Sequence, residues 1–383
     1  MRKKRVYLDN ASSTYVCGEA LQAMLPYFTT EFGNPASIHS FGRNGEKALQ
    51  KAREQLARTI NASPDEIYFT SGATEANNWF LRSVALNHPS KRIIVSCIEH
   101  PSVMETVKQL AAEGIKVDYV TVDRDGIINV SNLISKLSRP AALVSIMTAN
   151  NEVGTIQYLN TIAHLCSDRG VLFHTDAAQA ISNVLIDVKE MKIDALSMSG
   201  HKIYGPKGIG ALYIRNGLRI NKFMHGGAQE RNQRAGTVNV AGAVGFGVAA
   251  EVAMRDGNIN NNRIKMLRDY MIMQIEQKIP GARLNGHRNQ RLPNNINFSF
   301  PSIEGESIMM LLDFAGIAVS TGSACTSGTL TSSHVLTAMG VPAALNNGSI
   351  RFSLGRGTTK SDIDYAVDVL EKAVKRLRSM SAL

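Results

Sequence analysis

Lys202 stands in SMSGHKIYGPKGIGALYI, residues 197 to 214, where a tight Ser/Gly/His loop separates two apolar β-like runs. A lysine that forms an imine must lose its proton near neutral pH, against a reference pKa of about 10.4, which takes desolvation or a neighbouring positive charge. A loop at a strand end offers that setting; an exposed helix face does not. Lys207, in the turn-forming GPKG, is similarly set, so position alone does not choose between the two lysines.

Other segments carry polar residues that could act with it. EIYFT runs into SGATEANN, where Ser71, Gly72, Ala73 and Thr74 open a helix and turn backbone N–H groups outward, an anion site suited to phosphate. An ordinary capped strand-to-helix turn has the same pattern. VLFHTD ends in Asp176, with Gln179 close behind. A buried carboxylate there needs a cationic partner, such as a protonated pyridine nitrogen, unless it is a helix cap. His100 follows the strand-like run IIVSC and could stack on a flat ring, move protons, or simply be a hydrogen-bonded structural residue. Asn151 in MTANNEVGTIQ offers an amide that both donates and accepts, or closes a turn.

Cys325 lies in STGSACTSGTLTSS, small hydroxyl and glycine residues with almost nothing to bury, a composition that predicts an exposed, mobile loop. A nucleophilic thiol must ionise and reach its target, and such a loop permits both; an incidental surface cysteine would look the same. Cys17, Cys97 and Cys166 sit in more apolar surroundings, where a thiol acts as a small core residue. There is no CxxC pair and no metal-like spacing with histidine, which fits a reducing, cytoplasmic setting.

The elements that must position these residues alternate. EIYFT, RIIVSC, KVDYVTV, ALVSIM, VLFHTD and DALSMS are separated by helix-length segments, the pattern of an α/β protein with a parallel, doubly covered sheet. From about residue 255 the pattern changes to a long polar, Met-rich helix, NNRIKMLRDYMIMQIEQKI, then strand-like NNINFSF and GIAVST, and helices to the end. This predicts a large domain over 16–255 and a smaller α+β domain over 256–383, which carries Cys325 and against which segment 1–15 packs. GFGVAA at 245 to 250 fits a loose dinucleotide pattern but lacks a preceding strand and reads as helix packing, while DRDG at 123 to 126 reads as a turn, not a calcium loop.

Composition excludes several classes. With 383 residues, 44% hydrophobic and 19% charged, the chain can bury a large core. The formal charge of +10 concentrates in RKKR at 2 to 5 and KRLR at 375 to 378, both short and without interleaved aromatics. Direct nucleic-acid binding is therefore not expected, although an acidic protein partner or anionic ligand would be favoured. MRKKRVYLDN lacks the apolar centre of a signal peptide, and no apolar run is long enough to span a bilayer.

Taken in order, these segments resemble fold-type I pyridoxal-phosphate enzymes of the class V aminotransferase superfamily, and among them cysteine desulfurases of the NifS/IscS type. The resemblance runs from YLDNASST through GNPASIH, FTSGATEANN, NNEVGTIQ, HTDAAQ, SGHKIYGPKGIGALY, GGAQERNQRAGTVNV and SACTSGTLTSSHVL to SIRFSLGRGTT, nearly the whole chain. It implies the PLP-dependent transferase fold type I, with a mostly parallel seven-stranded sheet in the large domain. It further implies that Lys202 carries the cofactor, pyridoxal 5'-phosphate, and Asp176 pairs with its ring nitrogen. Gln179 bonds the ring hydroxyl, and Ala73, Thr74, Ser199 and His201 hold the phosphate. Thr237 in RAGT reaches the phosphate of a neighbouring subunit in a homodimer, His100 stacks on the ring, and Asn151 and Arg351 bind the substrate carboxylate.

The implied reaction converts L-cysteine to L-alanine and leaves a persulfide on Cys325 for an acceptor protein, in iron–sulfur cluster assembly, tRNA thiolation or another pathway. Ser332 stands where the family often has proline, and Ala228 where it often has a third glycine. Longer members continue with a tail that docks the iron–sulfur scaffold, whereas this sequence ends SMSAL, which leaves the acceptor open. An aminotransferase, a selenocysteine lyase, or a catalytically silent sulfur-carrier subunit are the alternatives.

Overall fold

Five-residue apolar runs buried at every position, such as Ala141–Ser145, Ala195–Ser199 and Gly210–Ile214, have no face to give to water and must lie inside a sheet covered on both sides. The computed structural model, which describes residues 4–181, 183–321 and 332–381, gathers them so. In chain order the strands are β1 (Val6–Tyr7), β2 (Ile67–Thr70), β3 (Arg92–Ser96), β4 (Val117–Val120), β5 (Ala141–Ser145), β6 (Leu172–Asp176), β7 (Ala195–Ser199), β8 (Gly210–Ile214), β9 (Arg283–Leu284), β10 (Asn295–Ser299), β11 (Ile317–Ala318) and β12 (Ser349–Ser353).

The main sheet has seven strands in the order β2-β8-β7-β6-β5-β3-β4. The neighbours from β7 to β4 pair in parallel, while β8 runs antiparallel to both β7 and β2. Only β8 is reversed, so the carboxyl ends of the other six converge on one edge, where ligands collect in open α/β sheets. Gly210 opens β8 at that edge, opposite both Thr70 and Ser199. A Cβ there would stand 2.6 Å from the Gly72 backbone, so glycine is what lets the turn after β2 settle over the sheet.

A second apolar cluster joins Leu8, Phe298, Phe300, Phe352, Ile363 and Leu370 around an antiparallel sheet of order β12-β10-β9. The N-terminal strand β1 reaches this cluster by pairing in parallel with β11, Val6 against Ile317. One helix, Val240–Lys278, belongs to both cores: Ala243, Phe246 and Ala249 pack in the first, and Ile264, Met271 and Ile275 in the second. Its 39 residues span roughly 58 Å.

The helix begins well before the Met-rich run from which the sequence predicts it, and it passes residue 255 unbroken. Its early glycines serve close packing: a Cβ on Gly247 would lie 2.9 Å from Cα of Ala52 in the helix Ser40–Thr59. GFGVAA is accordingly helical packing surface. DRDG forms a turn closed by Gly126 N–H to the Asp123 carbonyl at 3.0 Å, with Gly126 left-handed at φ 79°.

Candidate active site

A cavity of about 630 Å³ opens at the carboxyl edge of the main sheet, lined among others by Ser71, Thr74, His100, Asp176, Lys202 and Arg351. On one wall the chain leaves β2 at Thr70 and enters the helix Ala73–Asn87 through an extended Gly72. Ala73 and the exposed Thr74 form the first turn, with N–H groups and a hydroxyl toward the cavity. Glu75 in the same turn is turned away from it: Arg234 donates to both its oxygens, at 2.8 and 3.1 Å, and Ser71 N–H donates at 2.7 Å. Burial raises the Glu75 pKa, but these donors prevail and hold it below the usual carboxylate value.

The floor comes from the ends of β6 and β7. Asp176 is buried, and its oxygens take neutral donors: Asn77 Nδ2 at 2.8 Å and the Ala178 N–H at 2.9 Å. His174 beneath it is a satisfied core residue, bonded to Ser145 Oγ and Ser197 Oγ and stacked on Phe80. Burial pushes its pKa down to about 4. Gln179 donates to the Ala11 carbonyl at 2.9 Å. Ser199 closes β7, and the chain then makes the short 3-10 turn Gly200–Lys202 that turns His201 and Lys202 into the cavity. The Lys202 ammonium donates to the carbonyls of Ala11 and Ser12 at 2.6 and 2.8 Å. His201 Nδ1 lies 3.3 Å from Ser13 Oγ, and burial, then the Lys202 and Lys207 charges, lower its pKa to about 4.

His100 caps the helix Pro101–Ala112, with its Nδ1 2.8 Å from Ser102 Oγ. Asn151 and Arg351 complete the far wall. Arg351 lies in β12, is 3% exposed, and is engaged by Asp9 Oδ1 at 2.9 Å, Ser12 Oγ at 2.6 Å and the Asn151 carbonyl at 3.0 Å, while its buried Nε has no partner among the described residues. Beside it, Glu152 accepts from Ser333 Oγ, and burial pushes its pKa up to about 7 against Ser333 and Arg351.

One predicted residue stands apart and one lies beyond view. Thr237 is exposed and does not line this cavity. Cys325 falls outside the described residues. The other thiols are unsuited to chemistry: Cys17 and Cys166 are buried, and burial raises the pKa of Cys97 and pushes that of Cys166 up to about 12. The residue-by-residue reading missed the roles of Ala11, Ser12 and Asp9, although YLDNASST carries them, and it missed Asn77 and Ser102 behind His100.

It also missed a strained turn. Glu230, Arg231 and Asn232 are all left-handed, at φ 46°, 55° and 64°. Arg53 pairs bidentately with Glu230, which also accepts Phe69 N–H at 2.8 Å; Arg231 donates to the Ile67 carbonyl at 2.7 Å and lies over the Tyr68 ring. The turn is thus tied to β2, the strand that leads into the Ser71–Thr74 turn.

These features suit a phosphorylated pyridine aldehyde: a lysine amine, a buried carboxylate on neutral donors, and a helix start with N–H and hydroxyl donors, all facing one cavity of sufficient size. The class-V aminotransferase family matches residues 6–366. A relative from Clostridium botulinum, "Cysteine desulfurase IscS", is 48% identical over 384 residues, covering 99% of this chain and 97% of the relative. A protein of the same name from Dictyoglomus turgidum is 48% identical over 381 residues, with coverage of 99% and 97%. A solved "NIFS-LIKE PROTEIN" superposes with a TM-score of 0.92 at 38% identity, over 97% of this chain and 100% of that one. On the family match and near full-length similarity, the chain belongs to the pyridoxal-phosphate-dependent cysteine desulfurases of the class-V aminotransferase family.

Proposed function

We infer that this enzyme removes the sulfur of L-cysteine, leaving L-alanine and a persulfide on Cys325. The observation that carries the reading is the meeting of Lys202, Asp176 and the Ser71–Thr74 helix start in one cavity. Pyridoxal phosphate, when bound, supplies an electrophilic aldehyde and a protonated ring that accepts the electron pair released at the substrate α-carbon. Lys202 would hold the cofactor and move the α-proton. Asp176 would keep the ring nitrogen protonated, Gln179 would bond the ring hydroxyl, and Ala73, Thr74, Ser199 and His201 would hold the phosphate. His100 would cover the ring face and serve as a proton donor or acceptor. Arg351, supported by Asn151, would fix the substrate carboxylate with its guanidinium fork, exchanging its present bond to Asp9. The Cys325 thiolate would then take the substrate sulfur; the carbon–sulfur bond breaks with its electrons on carbon, and a proton completes the alanine methyl group.

Two surface features favour a homodimer. Phe28, Phe32 and Ile38 are 62%, 69% and 91% exposed, an apolar surface that a second copy would cover. Thr237, outside its own cavity, is free to reach that of the partner. The acceptor is a sulfur-carrying protein, and the name of the relatives favours iron–sulfur cluster assembly, with tRNA thiolation the alternative. Among the described residues no helix is long and apolar enough to cross a membrane, in keeping with a cytoplasmic enzyme. The division into domains over 16–255 and 256–383, with segment 1–15 on the smaller one, is supported by two of the apolar clusters, which the helix Val240–Lys278 bridges, while a further cluster joins Ile98, Met147 and Val153 to Val335, Leu336 and Val341 across that boundary.

Peptide mass mapping after exposure to L-cysteine tests the reading. One added sulfur on the Cys325 peptide, absent from Cys97 and Cys166 peptides, is expected; a persulfide elsewhere overturns it. Light scattering should give twice the 41.6 kDa chain mass.

A further inference from the structure

We propose that Asn77 and Ser102 are positioning residues that hold His100 as its neutral Nε2–H tautomer, through a hydrogen-bond relay anchored on Asp176. The proposal rests on the reading of His100 and Asp176 as residues that face the cofactor.

Two independent constraints, the Ser102 N–H at one end and the Asp176 carboxylate at the other, fix the direction of the relay. The backbone N–H of Ser102 lies 3.1 Å from His100 Nδ1 and can only donate, so Nδ1 carries no hydrogen. Ser102 Oγ, 2.8 Å from the same bare nitrogen, must then turn its hydroxyl hydrogen toward it. That leaves the oxygen lone pairs of Ser102 to accept, and Asn77 Nδ2 stands 2.8 Å away to donate. The same Nδ2 donates to Asp176 Oδ2 at 2.8 Å. Reversing the Asn77 amide would set its oxygen against a carboxylate oxygen, so Asp176 fixes that orientation, even though Asn77 Oδ1 is then buried without a partner among the described residues.

Both donors at Nδ1 would have to turn away for that nitrogen to be protonated, and Nε2 is left as the hydrogen-bearing atom. The charged and titratable groups around the ring are Asp176, Lys202 and His334. Burial lowers the His100 pKa; Asp176 opposes this, while Lys202 and His334 reinforce it. The ring is therefore a neutral donor at one nitrogen, its other nitrogen occupied by the protein.

Nitrogen-15 NMR of histidine-labelled holoenzyme tests this, with the His100 signals identified by their loss in His100→Asn. In the wild type, Nδ1 should show a pyridine-type shift and Nε2 a pyrrole-type shift. Ser102→Ala keeps only the backbone donor and should reduce the preference for the Nε2–H form by up to about tenfold, the worth of one net hydrogen bond, and raise the His100 pKa by up to about one unit. Ser102→Thr should restore both. A hydrogen on Nδ1 in the wild type, or Ser102→Ala shifts and pKa equal to the wild type, would overturn the relay. Because the readout is the imidazole and not turnover, the relay and the desulfurase reading fail separately.

Discussion

Two irregular turns lie side by side at the main sheet, and they are built by opposite means. The turn from Ser71 to Thr74 is local: Gly72 is extended, the helix start supplies the donors, and Gly210 leaves room for it. The turn from Glu230 to Asn232 is held from far away. Three consecutive left-handed non-glycine residues cost about 1–2 kcal/mol each, and they persist because Arg53, the Ile67 carbonyl and Lys222 grip them. A binding turn can be inexpensive and still precise in position if its neighbour takes the strain. The strained turn stands just before Arg234, which clamps Glu75 in the first turn of the binding helix.

The largest expected effect is at the strained side. Glu230→Ala leaves the Arg53 guanidinium buried without its partner and should destabilise the protein by about 3–5 kcal/mol, read from the denaturation midpoint. A loss below 1 kcal/mol would mean that the turn is not strained or not held by this pair. At the local turn, Gly210→Ala should cost about 1–3 kcal/mol by overpacking and also weaken cofactor retention, because the new methyl meets Gly72. A stability loss with unchanged cofactor affinity would separate Gly210 from the binding turn.

The carboxylates near the site sharpen the contrast by pH. Glu75, held below its usual pKa, gives stability that is present above the unfolded value of about 4.5 and lost as pH falls through the folded value; Glu75→Gln should flatten the acid limb. Glu99 is opposite. It is fully buried, accepts from Ser96 Oγ and Met147 N–H, and burial pushes its pKa up to about 8. Its contribution is complete below the unfolded value of about 4.5 and lost as pH rises toward 8, so Glu99→Gln should flatten the decline across that window. Denaturation midpoints followed below pH 4.5 for Glu75→Gln and between pH 5 and 8 for Glu99→Gln distinguish the two. The smallest effect is expected for Asn232→Gly, which relieves left-handed strain but loses the bond to Lys222, leaving a net change within about 0.5 kcal/mol.

What the sequence discloses follows the same division. The strands of the main sheet, the helix start after β2, Asp176 at the end of β6 and Lys202 after β7 are legible, since each is a local pattern at a strand end. GFGVAA is legible as helix packing, and its glycines do let two helices pack closely, but the change of pattern near residue 255 hides that it belongs to the same continuous helix as the Met-rich run. Arg53 with Glu230, Asp9 with Arg351, and Asn77 with Asp176 are invisible locally, because the fold, not the spacing, brings them together. Cys325 is legible as a thiol in an exposed loop, with its catalytic role coming from resemblance, whereas Thr237 rests on resemblance alone, and the cavity of one chain does not contain it.

The most direct test of the account is the release of sulfide and alanine from L-cysteine with a reductant present, by the wild type, Lys202→Ala and Cys325→Ala. Equal amounts of the two products from the wild type, lost in both variants, are predicted. Undiminished sulfide from Cys325→Ala would contradict the persulfide route and indicate a lyase in its place.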